Sequence, residues 1–345
     1  MTVPSRPGAR PMGEGWRARP VSPHTFQRVA LVAIWALVLT IISGAAVRLT
    51  GSGLGCPDWP KCTASGAVAP LQFHPWVEFG NRLINAFVTI ASLGALAAAL
   101  LRNPRRRDLT LLSAGLVVGL IAEVGLGALV VEYKLAPGLV MTHFLLGLVF
   151  LGDAVLLHYR AGLPDEATAP APTIPAPMTT KVRLVGPVQL ALARLLLVAT
   201  AVAVTLGTVV TSTGPHGGDP KARRFGFSLH SVAQLHGTSV EVLLAVTLLT
   251  VWSLARSQAP APVVRRAEIM LLAMVAQAAV GYIQYFNGDP VGLVAVHVAG
   301  ASILIVAVLR FYLGLTAIKT TPGPSEPEPE PVPAARFDAS TTSSS

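Results

Sequence analysis

Eight long apolar segments dominate this sequence and leave it few ways to fold. Each is about 20 residues long, the length that an α-helix needs to cross the hydrocarbon core of a bilayer. Charged residues make up only 12% of the 345-residue chain, against about 25% in soluble domains. The sequence therefore predicts an all-α polytopic membrane protein with transmembrane helices near 29–47, 78–101, 109–131, 138–158, 191–211, 231–254, 268–286 and 291–315.

The net charge of +9 is explained by the placement of basic residues in the loops. If the N-terminus is cytoplasmic, the loops on that side hold 17 Lys and Arg residues and the opposite loops hold six. This asymmetry follows the positive-inside rule and predicts that both termini are cytoplasmic. The basic balance reflects membrane topology, so we expect lipid around the protein and no nucleic acid as a partner.

The two halves of the chain are related by an internal repeat. Residues 122–143 align without gaps with residues 276–297, which places His143 opposite His297. Each half has four predicted helices, so both halves start on the same side and the repeat is parallel. The sequence thus predicts two tandem four-helix bundles. Further matched pairs are Gly127 with Gly281 and Glu123 with Gln277.

Segments rich in Pro, Glu or basic residues separate and flank the two halves, and we expect the C-terminal tail to be disordered. For the N-terminal segment, an organelle transit peptide is the alternative to a cytoplasmic tail. The predicted divisions are a tail at 1–28, an N-terminal half at 29–160, a linker at 161–190, a C-terminal half at 191–318 and a tail at 319–345.

Three histidines fall at one depth in the predicted helices. His143, His236 and His297 each lie five or six residues inside a helix that enters from the outer side, or roughly 8 Å below that surface. Two neutral imidazoles on facing helices suit axial ligation of heme, so His236 and His297 are predicted to ligate one iron. A structural hydrogen-bonded pair and a zinc site are the alternatives.

The second helix of the N-terminal half carries a polar cluster where the C-terminal half has a histidine. Glu78, Asn81, Arg82 and Asn85 share one helical face, and Asn81 aligns with His236. We expect Arg82 to meet a heme propionate and Glu78 to handle protons. The alternative is that Glu78 lies at the membrane boundary and that Arg82 only forms an ion pair with it or with lipid.

Two further polar residues leave alternatives open. For Glu123 in the third helix, a helix-packing hydrogen bond competes with a chemical role. For His216 in an outer loop, an exposed turn residue competes with a propionate contact.

The only two cysteines, Cys56 and Cys62, lie in one outer loop. The outer side is oxidising, which favours a disulfide between them. A reducible redox pair or free thiols are the alternatives.

Several motifs together resemble the heme A synthase family. They are the cysteine loop at 50–62, the Glu-Phe-Gly-Asn-Arg segment at 78–82, the Thr-Gly-Pro-His-Gly-Gly-Asp segment at 213–219 and the duplicated histidine helices, within a resemblance over about 25–318.

The resemblance implies a membrane oxidoreductase that converts the C8 methyl of heme O to a formyl group through hydroxylated intermediates, giving heme A for cytochrome oxidase. It implies a permanent heme b between His236 and His297 and the substrate heme in the N-terminal half. Heme O synthase, cytochrome oxidase assembly factors, an electron donor and a second copy of the chain are implied partners. The implied location is a bacterial plasma membrane.

One residue departs from the family pattern. The family motif in the second helix is Glu-x-x-His-Arg, and here Asn81 stands in place of its histidine. We therefore assign the roles of the family's site residues to Glu78, Arg82, His143, His236 and His297. We assign no ligand role to Asn81. A non-enzymatic heme b electron carrier, for which two complete histidine pairs are expected, is the main alternative, and a transporter is a second one.

Overall fold

The computed structural model describes residues 20–64, 66–165 and 178–321. Within these residues it contains eight helices that are long and apolar enough to cross a membrane, which confirms the predicted fold class. Parts of the predicted tails and linker, at 1–19, 166–177 and 322–345, lie outside the described residues. The helices are α1 (Pro23–Leu49), α2 (Phe73–Leu101), α3 (Arg107–Glu132), α4 (Pro137–Ala161), α5 (Pro187–Thr213), α6 (Leu229–Arg256), α7 (Ala261–Phe286) and α8 (Val291–Leu313).

Most helices begin before the apolar segments do, because polar caps and prolines start them. Ser22 caps α1 and accepts a hydrogen bond from the backbone nitrogen of Thr25 at 3.2 Å. A proline in the first turn starts α1, α4, α5 and α7. Proline fits there because its φ is already helical and the first turn needs no N–H donor.

The helices pack as two four-helix halves. In the N-terminal half α1 packs on α2 and α4, and α3 packs on α2 and α4. In the C-terminal half α5 packs on α6, α6 on α7, and α7 on α8. The halves meet where α8 packs against α1 and α4 and where α5 packs against α4. Large apolar side chains such as Trp35 and Leu272 point outward, with 64% and 71% of their surface exposed, as expected of a surface that faces lipid.

The internal repeat is visible in the backbone of two turns. Lys134 and Leu135, between α3 and α4, have φ values of 51° and 61°, and Gly288 and Asp289, between α7 and α8, have φ values of 76° and 58°. In each turn the second of these residues donates its N–H to a carbonyl five residues earlier. The aligned positions thus adopt the same left-handed turn, although three of the four carry side chains that disfavour it.

A two-stranded antiparallel sheet joins the linker to the end of α8. Strand β1 (Met178–Arg183) pairs with β2 (Thr316–Thr321), with Arg183 opposite Thr316. The sequence analysis did not predict these strands. Strand β1 falls in the predicted linker, and β2 crosses the predicted boundary between the C-terminal half and the tail. The sheet lies next to the first turn of α5, on the side of the molecule away from the cysteine loop.

Candidate functional site

His236 on α6 and His297 on α8 lie next to each other inside the C-terminal half. Their ring centres are 6.4 Å apart and the ring planes are nearly perpendicular, at 87°. Two imidazoles that ligate one metal from opposite sides have ring centres about 6.2 Å apart, given metal–nitrogen distances of about 2.0 Å and a ring centre about 1.1 Å behind each nitrogen. The spacing therefore fits a single iron held between the two rings.

Helix α5 orients the His236 ring from behind. Nδ1 of His236 lies 3.0 Å from the backbone carbonyl oxygen of Ala203 on α5. Nδ1 therefore carries the proton, and Nε2 keeps its lone pair. Such a hydrogen bond to the non-ligating nitrogen fixes the tautomer of a metal-binding histidine.

Glycines on the neighbouring helices make room for the ring positions. A Cβ at Gly207 would lie 3.1 Å from Cε1 of His236, and a Cβ at Gly281 would lie 2.9 Å from Cε1 of His297. In the N-terminal half, a Cβ at Gly127 would lie 3.6 Å from Cε1 of His143. The rings of His236 and His297 can lie this close to the helix backbone only because Gly207 and Gly281 have no side chain, whereas the distance at Gly127 is an ordinary van der Waals contact.

The N-terminal half has one imidazole at the repeated position. Nδ1 of His143 lies 2.7 Å from Oε2 of Glu123 on α3. Asn81, which aligns with His236, accepts a hydrogen bond at its Oδ1 from the Ser43 hydroxyl at 2.7 Å. The two halves thus differ in chemistry at equivalent positions: a pair of imidazoles in one, and an imidazole with a carboxylate and an amide in the other.

Glu78 and Arg82 on α2 hold the cysteine loop. Glu78 is 5% exposed. Its Oε2 accepts a hydrogen bond from the backbone nitrogen of Cys56 at 2.7 Å, and its Oε1 accepts one from Nη2 of Arg82 at 2.8 Å. Arg82 also donates to the carbonyl oxygens of Cys56, Asp58 and Lys61 at 3.0, 3.3 and 2.9 Å. The sequence analysis missed these loop contacts.

The loop contains the predicted disulfide. Cys56 and Cys62 are joined by an S–S bond of 2.03 Å, and both residues are fully buried. At the end of the loop, Nδ1 of His74 lies 2.9 Å from the hydroxyl of Ser52. The disulfide and the Glu78–Arg82 pair therefore form one connected unit above α2.

Residues 27–309 match the sequence profile of the cytochrome oxidase assembly protein family, COX15-CtaA. The chain belongs to this family. The match covers most of the chain and confirms the resemblance to heme A synthases on which the sequence analysis relied.

Several relatives in this family are named heme A synthase. The one from Paracoccus denitrificans (strain Pd 1222) is 27% identical over 90% of this chain and 93% of its own length. Those from Geobacillus thermodenitrificans and Geobacillus kaustophilus (strain HTA426) are 34% and 36% identical, over 39% and 30% of this chain. The matched regions cover 45% and 33% of these two relatives.

The ligand geometry does not favour the zinc alternative. Within the described ranges, no three His, Cys, Asp or Glu side chains gather to hold a metal ion. Zinc usually takes three or four such ligands. A heme iron, by contrast, needs only two axial ligands from the protein.

Arg48, at the end of α1, ties the two halves together on the side of the cysteine loop. It donates from Nε to the carbonyl oxygen of His216 at 2.6 Å and from Nη2 to the carbonyl oxygen of Thr211. His216 is held in turn, since its Nε2 lies 2.8 Å from the carbonyl oxygen of Asp289. The sequence analysis missed Arg48, whose position at the end of a helix resembles that of any boundary arginine.

Proposed function

We propose that this chain is a heme A synthase that oxidises the C8 methyl group of heme O to a formyl group. Two successive hydroxylations, each of which transfers an electron pair from the methyl carbon to an external oxidant such as dioxygen, and the loss of one water from the resulting diol give the aldehyde of heme A, which cytochrome oxidase requires. The names of the relatives support the reaction. The observation that carries the proposal is the difference between the halves at aligned positions, with two imidazoles in one and a single imidazole in the other.

The C-terminal half is the site of a permanent heme b. His236 and His297 would hold its iron, and their ring spacing fits one metal between them. A bound heme with two imidazole ligands supplies electron transfer. The chain contributes the orientation of the ligands, through the Ala203 carbonyl at Nδ1 of His236 and the glycine positions on α5 and α7.

The N-terminal half is the substrate site. His143 would bind the iron of heme O, and Glu78, on the same face of α2 as Asn81, would accept or relay protons released from the methyl carbon. Cys56 and Arg82 hold the Glu78 carboxylate in place, and Arg82 would also attract a heme propionate. A simple electron carrier fits less well, because the N-terminal half has no second imidazole at the position of Asn81.

We also propose that both termini are cytoplasmic in a bacterial plasma membrane, so that the heme sites and the disulfide lie toward the outer face. The excess of basic residues in the other set of loops supports this orientation. Heme O synthase would deliver the substrate, and cytochrome oxidase assembly factors would receive the product. An electron donor and a second copy of the chain are the remaining proposed partners.

Heme extraction tests the proposed reaction. The full chain is co-expressed with heme O synthase in a host that makes no heme A, and the extracted hemes are separated by chromatography. Heme A together with hydroxylated heme O is the expected result. The proposed reaction is wrong if neither compound forms while heme O accumulates and the protein is present in the membrane.

A further inference from the structure

Glu123 and Gln277 occupy aligned positions on α3 and α7, yet they contact different parts of the aligned histidines. Oε2 of Glu123 lies 2.7 Å from the ring nitrogen Nδ1 of His143. Gln277 instead donates from Nε2 to the backbone carbonyl oxygen of His297 at 2.7 Å. Within the described residues, the His297 ring faces the backbone of Gln277 and not a carboxylate side chain. Only the N-terminal half therefore places a carboxylate on its imidazole.

Nothing else in the described part of the chain competes for this contact. Nδ1 of His143 and Oε1 of Glu123 are both buried and have no hydrogen-bond partner there, so the 2.7 Å approach of Nδ1 to Oε2 is an ion-pair contact. No Lys or Arg side chain in the described ranges lies within ion-pair distance of Glu123. The distance of 2.7 Å is short enough for a charge-assisted hydrogen bond, about 2.7–2.9 Å, once the ring turns Nδ1–H toward the carboxylate.

A carboxylate at Nδ1 changes what Nε2 offers to a metal. It holds the proton on Nδ1, fixes the orientation of the ring and increases the basicity of the ligating nitrogen. An amide that contacts only the backbone does none of these things. A single imidazole with a carboxylate behind it is consequently a stronger electron donor to iron than His297 is.

We propose that Glu123 is a positioning residue that makes His143 a strongly donating ligand for the substrate heme. The inference rests on the proposed function only in taking His143 as the ligand of that heme. It explains how one imidazole is sufficient in the N-terminal half, where Asn81 replaces the second one and its Oδ1 is bonded to Ser43. His143 would then be the one strong ligand that the N-terminal half offers to the substrate iron.

The test uses the full chain in detergent, with ferric protoporphyrin heme as the probe. The Glu123→Gln variant reproduces the amide of the C-terminal half, and Glu132→Gln, an exposed position on the same helix, is the matched control. Heme bound at His143 is distinguished by the spectrum of a heme with one imidazole ligand, and heme bound by His236 and His297 serves as an internal reference.

Glu123→Gln is expected to weaken heme binding at His143 by about 10–100-fold. It should also lower the iron–imidazole stretching frequency of the reduced heme and raise its reduction potential, while the reference heme and the control variant stay unchanged. An unchanged frequency and potential would overturn the proposal, even if activity falls, because a purely structural role predicts that pattern.

Two further outcomes are informative. If Glu123→Gln does not accumulate, Glu123→Asp replaces it, because this variant keeps the charge and shortens the side chain. It should shift the iron–imidazole stretching frequency to a smaller extent. An unchanged frequency in Glu123→Asp would count against the proposal. If the wild-type protein fails to convert heme O but Glu123→Gln still shifts the band, the role of Glu123 stands and the proposed reaction does not.

Discussion

At the scale of single residues, the Glu78 carboxylate has both a structural and a proposed chemical task. Its two oxygens accept hydrogen bonds from the loop backbone and from Arg82. These donors fix the carboxylate in a buried position. At the proposed substrate site, a fixed carboxylate would be a better proton acceptor than a mobile side chain. The structural task and the chemical one can be separated by a change that keeps the shape of the side chain.

Glu78→Gln is expected to lower conversion of heme O to heme A by about 100-fold or more, because a proton acceptor typically contributes this much to a rate. The amide oxygen can still accept the hydrogen bond from Cys56, so the loop should stay in place and the heme b spectrum should be unchanged. Chromatography of extracted hemes measures the conversion, with Glu132→Gln as the control. Full activity in Glu78→Gln would remove the catalytic role.

Gly281→Ala is expected to reduce the heme b content by about 10-fold or more, as changes behind a metal ligand do. The added Cβ would lie 2.9 Å from Cε1 of His297 and must displace the ring. The helix itself should not suffer, since alanine is the better helix former. Gly292→Ala, where a Cβ meets nothing within 4 Å, is the control in an absorbance assay. Equal heme content in both variants would show that the ring has room to move.

At the scale of secondary-structure elements, the sequence predicted the helices well and the loop contacts poorly. Apolar length alone located all eight described helices, since a bilayer demands such lengths locally. The strands β1 and β2 were missed because their pairing joins residues that are far apart in the chain. The contacts of Glu78 and Arg82 with residues 56–61 were missed for the same reason, since the loop conformation brings them together. The aligned histidines could be located because the repeat placed them at one depth.

The disulfide loop offers a prediction at this scale. Replacing Cys56 and Cys62 together by serine removes a ring closure worth about 2 kcal/mol in the chain-entropy model. Trypsin should then cleave after the exposed Lys61 several times faster, while the spectrum of the heme between His236 and His297 is kept. Wild-type protein treated with a thiol reductant should behave in the same way. An unchanged cleavage rate in the serine variant would mean that Glu78 and Arg82 hold the loop without the disulfide.

At the scale of the whole molecule, hydrogen bonds on the cysteine-loop side join two halves whose helices also pack against each other. Arg48 reaches from α1 to the carbonyl groups of Thr211 and His216, and the backbone nitrogen of Gly53 donates to the carbonyl oxygen of Gly218 at 2.8 Å. These hydrogen bonds fix the distance between the proposed substrate half and the proposed heme b half. A fixed distance is what electron transfer between two hemes requires.

Arg48→Ala is expected to destabilise the molecule by about 3 kcal/mol, the order expected for the loss of charged hydrogen bonds that leave buried carbonyl groups unpaired. Thermal unfolding in detergent, followed by heme release, measures the change. Arg223→Ala, at an exposed arginine of the neighbouring loop, is the control and should unfold like the wild type. Equal unfolding temperatures for the two variants would contradict the role of Arg48 as a tie.

The division of work between the halves is the central claim, and a comparison of His143→Ala with His297→Ala tests it most directly. Each variant is purified for its absorbance spectrum, and its extracted hemes are separated by chromatography. His143→Ala is predicted to keep the spectrum of a heme with two imidazole ligands and to form no heme A, whereas His297→Ala loses that spectrum. Continued heme A formation by His143→Ala, or an unaltered spectrum in His297→Ala, would contradict the account.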